Sequence, residues 1–285
     1  WQPLSFNNAV TQNGIPLGAI VQTFVGANWR QVDGFALARP APGTIALDPG
    51  PPPLLGTPTE AAYREAAVEV IRRASFLDPS TGVFLDISPG ARLNHPLGTQ
   101  QGTGHAINPV TAKPYAPNRV NRADFGRVLA EYWADGPASE TPPGHWNVIF
   151  NQVADHPQLV RRFAGTGLAL SSLEWDVRGY VALNGAVHDA AIAAWTVKRT
   201  YDSVRPISMI RYLAGLGQSS DPAGPAYHPR GLPLEPGLIE VITAESSAPG
   251  QRHAHLPGSV GKLALRSWRG SPADPANQVG GVDWI

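Results

Sequence analysis

The chain contains no cysteine. Disulfides, thiolate metal sites and cysteine nucleophiles are therefore excluded, and the redox compartment is left open. It also lacks net charge, because 22 basic and 22 acidic residues cancel. Nothing in that balance steers the chain toward nucleic acid or an anionic membrane surface. No apolar run approaches the roughly eighteen residues that a membrane span needs. Lysine is scarce, at three residues against nineteen arginines, so each lysine merits individual inspection. The sequence opens on Trp1 rather than Met, with no signal-peptide pattern ahead of it. What it has in quantity is proline and glycine, 29 and 30 residues. Its 285 residues suffice for one large domain or two small ones with a sizeable core.

Residues 1–56 are short apolar pieces broken by Gly and Pro, and they read as an ordered, loop-rich N-terminal segment. Trp29 and Phe35 are among the aromatics that argue for packing there rather than disorder. Residues 57–285 read as a helical domain. Thr57, Pro58 and Glu60 predict a helix start with a capping box, followed by Tyr63, Ala67, Val70, Ile71 and Ala74 on one face. A second helix is expected from Asn121, with Phe125, Val128, Leu129, Tyr132 and Trp133 as its stripe. A third is expected from Pro142 to Asp155. Leu173, Val177, Tyr180, Val181, Val187, Ala191 and Trp195 keep helical phase through the longest periodic region. Pro206 opens a helix through Tyr212, and Pro257 another through Trp268. Strand signals are sparse, so the expected fold is all-α, a helical bundle joined by long Pro/Gly-rich loops.

Most motifs with chemical meaning are absent or weak. Gly98–Gly104 lacks both the dinucleotide fingerprint and a phosphate-loop ending, and no G-x-S-x-G occurs. His253 and His255, with Glu245 nearby, lack a recognisable ligand spacing, so no metal site is expected. His188 and Asp189 on the long helix, and Glu140 and His145 around Thr141-Pro142-Pro143, are pocket candidates. A satisfied buried histidine explains the first pair as well, and helix capping the second. Lys198 and Arg205, followed at once by Pro206, form the most specific pair. An ammonium and a guanidinium aimed at one point suit a tetrahedral oxyanion, Arg binding two oxygens as a fork and Lys supplying a compact charge. Two solvated charges at a helix end fit the spacing equally well.

The segment from Lys198 to Pro206 resembles the first signature block of the vanadium-dependent haloperoxidases and of the related phosphatidic-acid-phosphatase type acid phosphatases. Asp124 to Trp133, Asp135 to Trp146, Leu183 to Trp195, and Ile242 to Ser247 ahead of His253 resemble the bacterial haloperoxidase-like branch. The resemblance implies a helical bundle holding vanadate or phosphate, with Lys198 and Arg205 on the oxyanion's oxygens and Lys198 activating bound peroxide. The family's second block, a Ser-Gly-His loop, and its third, with an arginine and the vanadate-ligating histidine, do not occur here. The expectation is therefore an internal fragment of a longer polypeptide, an incomplete bundle whose cofactor vanadate is bound through a histidine outside this sequence and which is inactive alone. For the whole enzyme the resemblance implies halide, hydrogen peroxide and a small organic substrate as partners, with the rest of the polypeptide. It suggests a secreted or periplasmic setting and leaves homo-oligomerisation open. Two alternatives stand beside halide oxidation: an acid phosphatase using the same pocket, and a non-catalytic scaffold or oxyanion-binding protein.

Overall fold

The computed structural model describes residues 5–10, 16–21, 26, 28–38, 44, 47–91, 104–108, 111–133, 140–268 and 282–285. In chain order the regular elements are β1 (Ser5–Val10), β2 (Pro16–Val21), α1 (Glu60–Ser75), β3 (Phe84–Asp86), β4 (Ile107–Asn108), β5 (Lys113–Pro114), β6 (Arg119–Asn121) and α2 (Arg122–Trp133). They continue with α3 (Pro142–Ala154), α4 (Ser172–Tyr201), α5 (Pro206–Leu216), β7 (Ile239–Val241), β8 (Leu263–Trp268) and β9 (Val282–Trp284). The expected all-α bundle is thus corrected to a mixed fold of helices and short antiparallel sheets. The sheets are β1-β2, β3-β6, β4-β5 and β7-β8-β9. The chain divides into two compact units, Trp1–Leu54 with Ala134–Ser208, and Leu55–Trp133 with Met209–Ile285.

In the second unit, α1 lies against β8, the middle strand of the three-stranded sheet. Ala67, Val68 and Ile71 of α1 and Leu263, Ala264 and Leu265 of β8 are all buried. Ile242, Ala264 and Trp284 form a core cluster with Leu256 packed against it. Here the predicted helix from Pro257 fails. Pro257–Ser259 make one 3-10 turn, and the chain then runs into β8. Three consecutive apolar residues fit a buried strand as well as a helix, and pairing with β7 and β9 on both edges decides for the strand. The start of α1 also moves, from Thr57 to Glu60. The Glu60 carboxylate reaches back as the capping pattern requires, but to the N–H of Gly56.

In the first unit, α3 packs on α4, and the turn Trp29–Gln31 packs on α4 as well. The 30-residue α4 begins at an N-cap Ser171, whose hydroxyl accepts from the Glu174 N–H at 3.2 Å. It ends at Asp202, whose left-handed conformation (φ 47°) lets its N–H donate to the Lys198 carbonyl at 2.9 Å. Its buried residues are Gly179, Gly185, Asp189, Ile192 and Thr196; the last four share one face at helical period, and Gly179 lies about 120° around the helix from them. The apolar residues Leu173, Val177 and Val181 lie instead on exposed positions. Glycine stands at two of these positions, where neighbours approach closely. A Cβ on Gly179 would stand 2.2 Å from Phe150 Cζ, and one on Gly185 2.5 Å from Phe35 Cδ1.

Candidate functional site

The densest polar construction of the first unit surrounds Asp189. Its carboxylate accepts three backbone N–H groups from one short strap, Phe35 at 2.5 Å, Ala36 at 2.8 Å and Leu37 at 2.7 Å. Burial pushes this carboxyl up, but the three N–H groups outweigh it and bring it from 3.8 to about 2. Asp189 therefore stays charged and ties the strap to α4. His188, the preceding residue, is half exposed and puts Nδ1 3.4 Å from Asp189 Oδ1, a long hydrogen bond.

Two cavities open along this stretch of α4. One, of about 370 Å³, is lined by Trp29, Val32, Pro143, Asn184, Val187, His188, Ala191 and Ile192. The other, of about 620 Å³, lies under the strap between Phe35, Tyr180, Gly185 and His188. His188 and Asn184 belong to both. The Asn184 amide is already engaged, exchanging hydrogen bonds with Asn147 of α3 at 3.0 Å and donating to the Tyr180 carbonyl.

Glu140 and His145 meet each other, Oε2 to Nδ1 at 3.3 Å. The cap of α3 is Thr141, whose hydroxyl accepts from the Gly144 N–H at 3.3 Å. The carboxyl of Glu140 is held below its usual range, first by its own N–H and then by His145.

Lys198 stands in the last turn of α4, exposed, with its ammonium 4.5 Å from the centre of the Trp195 ring. Trp195 in turn meets Trp29 edge-on, with centroids 6.0 Å apart. Arg205 lies beyond the helix, exposed, immediately before α5, and its carbonyl accepts from the Ser208 N–H. The two cations therefore do not share one helix. They flank the turn in which Asp202 reverses the chain and Tyr201 donates its hydroxyl to Asp48 at 2.6 Å. Residues 198–205 carry Lys198, Arg199 and Arg205 against the single acid Asp202.

His253 and His255, in the second unit, do not converge on a ligand. His253 is fully buried, with Nδ1 2.9 Å from Ser246 Oγ, Nε2 3.8 Å from Glu240 and its ring edge-on to Trp284. His255 Nε2 is 2.7 Å from the Trp284 carbonyl oxygen. Among the described residues no group of three His, Cys, Asp or Glu could hold a metal ion, and no helix is long and apolar enough to cross a membrane. The Gly98–Gly104 loop lies outside the described residues except for its last glycine. Sequence reasoning named His188 and Asp189 but missed Trp29, Val32, Asn184 and the strap. Only the aromatics of the first segment hinted that it packs on something.

The long α4, the turn that follows it and the start of α5 form a continuous segment in which basic residues outnumber acids between 198 and 205. Residues 178–229 match the family model described as the VCPO second helical-bundle domain. The match covers a little under a fifth of the chain. No curated protein and no solved structure matches.

Proposed function

We propose that the chain serves a vanadate-dependent haloperoxidase, oxidising halide with hydrogen peroxide, and that Lys198 and Arg205 hold the oxyanion. The observation that supports this reading is that the matched segment spans both cations, in a stretch that carries three basic residues and one acid. The donor set suits the group. A guanidinium forks onto two oxygens, and an ammonium adds a compact charge. Arg205 also precedes the first turn of α5, where the free N–H groups add positive potential. Vanadate, when bound, supplies activation of hydrogen peroxide for two-electron oxidation of halide. Halide, peroxide and one proton then give hypohalous acid and water. Lys198 and Arg205 orient the oxyanion and neutralise its charge throughout, the kind of preorganised stabilisation that contributes most to catalysis. No residue of the chain is assigned as ligand to the vanadium itself.

The test is titration of the natural protein with vanadate by calorimetry, together with a bromide-and-peroxide assay. Lys198→Ala and Arg205→Ala are each expected to weaken vanadate binding about tenfold to hundredfold, the loss of one charge-assisted contact, and to remove halogenation. Unchanged affinity in both variants refutes the assignment of these residues. Turnover of a phosphoester without bromination would move the reading to the acid phosphatase.

A further inference from the structure

We infer that the cavity between the Trp29 turn, α3 and α4 is a binding site for a small neutral aromatic molecule bearing a hydroxyl group. Its identification as the organic halogen acceptor rests on the haloperoxidase reading; the site itself does not. At about 370 Å³ it falls within the usual size of small-molecule sites. A dry cavity of roughly 150 Å³ already takes benzene, so a fused two-ring system fits. Trp29, Val32, Pro143, Val187, Ala191 and Ile192 supply apolar walls, with the Trp29 indole as a flat stacking partner.

The polar recognition is narrow. Asn184 spends both of its N–H groups on Asn147 and the Tyr180 carbonyl and accepts one bond from Asn147, so toward a ligand it is an acceptor only. The imidazole of His188 is the second polar group. Its Nδ1 faces Asp189, and a carboxylate there keeps the ring proton on Nδ1, making Nε2 the acceptor. Among the described residues no Lys or Arg lines the cavity, so an anionic ligand finds no partner in that lining. The Asp189 carboxylate is occupied by three N–H groups and His188, so an amine finds none either. What remains complementary is a flat apolar body with one neutral donor, and a phenolic hydroxyl meets that description. The wall also connects to the proposed oxyanion site, because Trp29 touches Trp195 and Trp195 carries the Lys198 ammonium.

The experiment titrates the unmodified protein with naphthol and with its methyl ether, following tryptophan fluorescence and calorimetry, without vanadate, halide or peroxide. We expect one-to-one binding of naphthol, at least tenfold weaker binding of the ether, and loss of naphthol binding in Ala191→Trp, which fills the cavity. His188→Phe is expected to bring naphthol down to the affinity of the ether, and His188→Gln, which keeps an acceptor, to restore part of the difference. Absence of naphthol binding, equal affinity for the two compounds, or full binding in Ala191→Trp would each overturn the proposal. The two-ligand comparison needs no variant, so misfolding of Ala191→Trp does not rescue it. Because vanadate is absent, a failure here is separate from a failure of the oxyanion reading, and naphthol binding without bromination would leave the site standing and remove only its role as halogen acceptor.

Discussion

Gly179 and Gly185 are both buried on α4, yet replacing each by Ala should have different consequences. In an exposed helix interior Ala is better than Gly by about 1 kcal/mol, so the substitution stabilises unless the new methyl meets something. At Gly185 the methyl would stand 2.5 Å from Phe35 Cδ1 and 2.8 Å from Cε1. Phe35 is 64% exposed, so its ring can swing outward into solvent. The overpacking cost therefore sits near the low end of the usual range, about 1 kcal/mol, and the two terms nearly cancel. At Gly179 the methyl would stand 2.2 Å from Phe150 Cζ and 2.5 Å from Cε2. That ring is confined, stacked on Trp175 with centroids 6.4 Å apart and tilted against Tyr180 at 4.9 Å. There the cost should reach about 3 kcal/mol, leaving a net loss of roughly 2 kcal/mol. Thermal unfolding followed by circular dichroism reads the difference directly. At roughly 2–4 °C per kcal/mol, Gly179→Ala should melt about 4–8 °C below the parent, while Gly185→Ala stays within about 3 °C of it. If Gly179→Ala is as stable as Gly185→Ala, neighbour mobility does not decide the cost of close approach on this helix.

Asp189 has a folded pKa below its unfolded value, so its contribution to stability is complete above about pH 4 and is lost as pH falls toward about 2. Asp189→Asn offers one acceptor oxygen where two serve three N–H groups, and should lower the melting temperature by roughly 5 °C at neutral pH while flattening the acid-side decline; an unchanged acid limb would refute the role given to it. For His253 the causes run through burial first, which lowers the pKa against the opposing charge of Glu240. A histidine kept neutral this way stabilises fully above its unfolded value of 6.5 and progressively less as pH falls below it. His253→Phe, which keeps an aromatic edge toward Trp284, should flatten the decline of melting temperature between about pH 7 and 5, and retention of the parent slope would count against it.

The local signals in the sequence concern helices, and where the governing chemistry is local they succeed. Pro142 and Pro206 stand at the first positions of α3 and α5, because a missing N–H costs nothing there. The stop of α4 was also near at hand, three residues ahead of Val204-Arg205-Pro206. Sheet pairing is different. The Leu263–Leu265 run becomes a strand only through partners at 239–241 and 282–284, and periodicity within the run carries no trace of them. Site legibility followed the same line. Lys198, Arg205, His188 and Asp189 could be picked out as residue types near one another in sequence. The acceptor role of Asp189 could not, because its donors lie 152 to 154 residues away. On α4 the first half of the visible apolar stripe, Leu173, Val177 and Val181, is exposed, while close approach selected Gly179 and Gly185 where hydrophobicity scales expect larger side chains.

An α-helix advances about 1.5 Å per residue, so α4 also acts as a ruler. His188 and Lys198 are ten residues apart on it, about 15 Å along the axis, and the intrahelical hydrogen bonds hold that interval constant. On the proposed roles, a molecule resting on His188 and an oxyanion resting on Lys198 would be anchored at backbone positions about 15 Å apart. The helix would thus hold the spacing of the two anchor positions fixed, whatever the side chains and ligands add to or take from it.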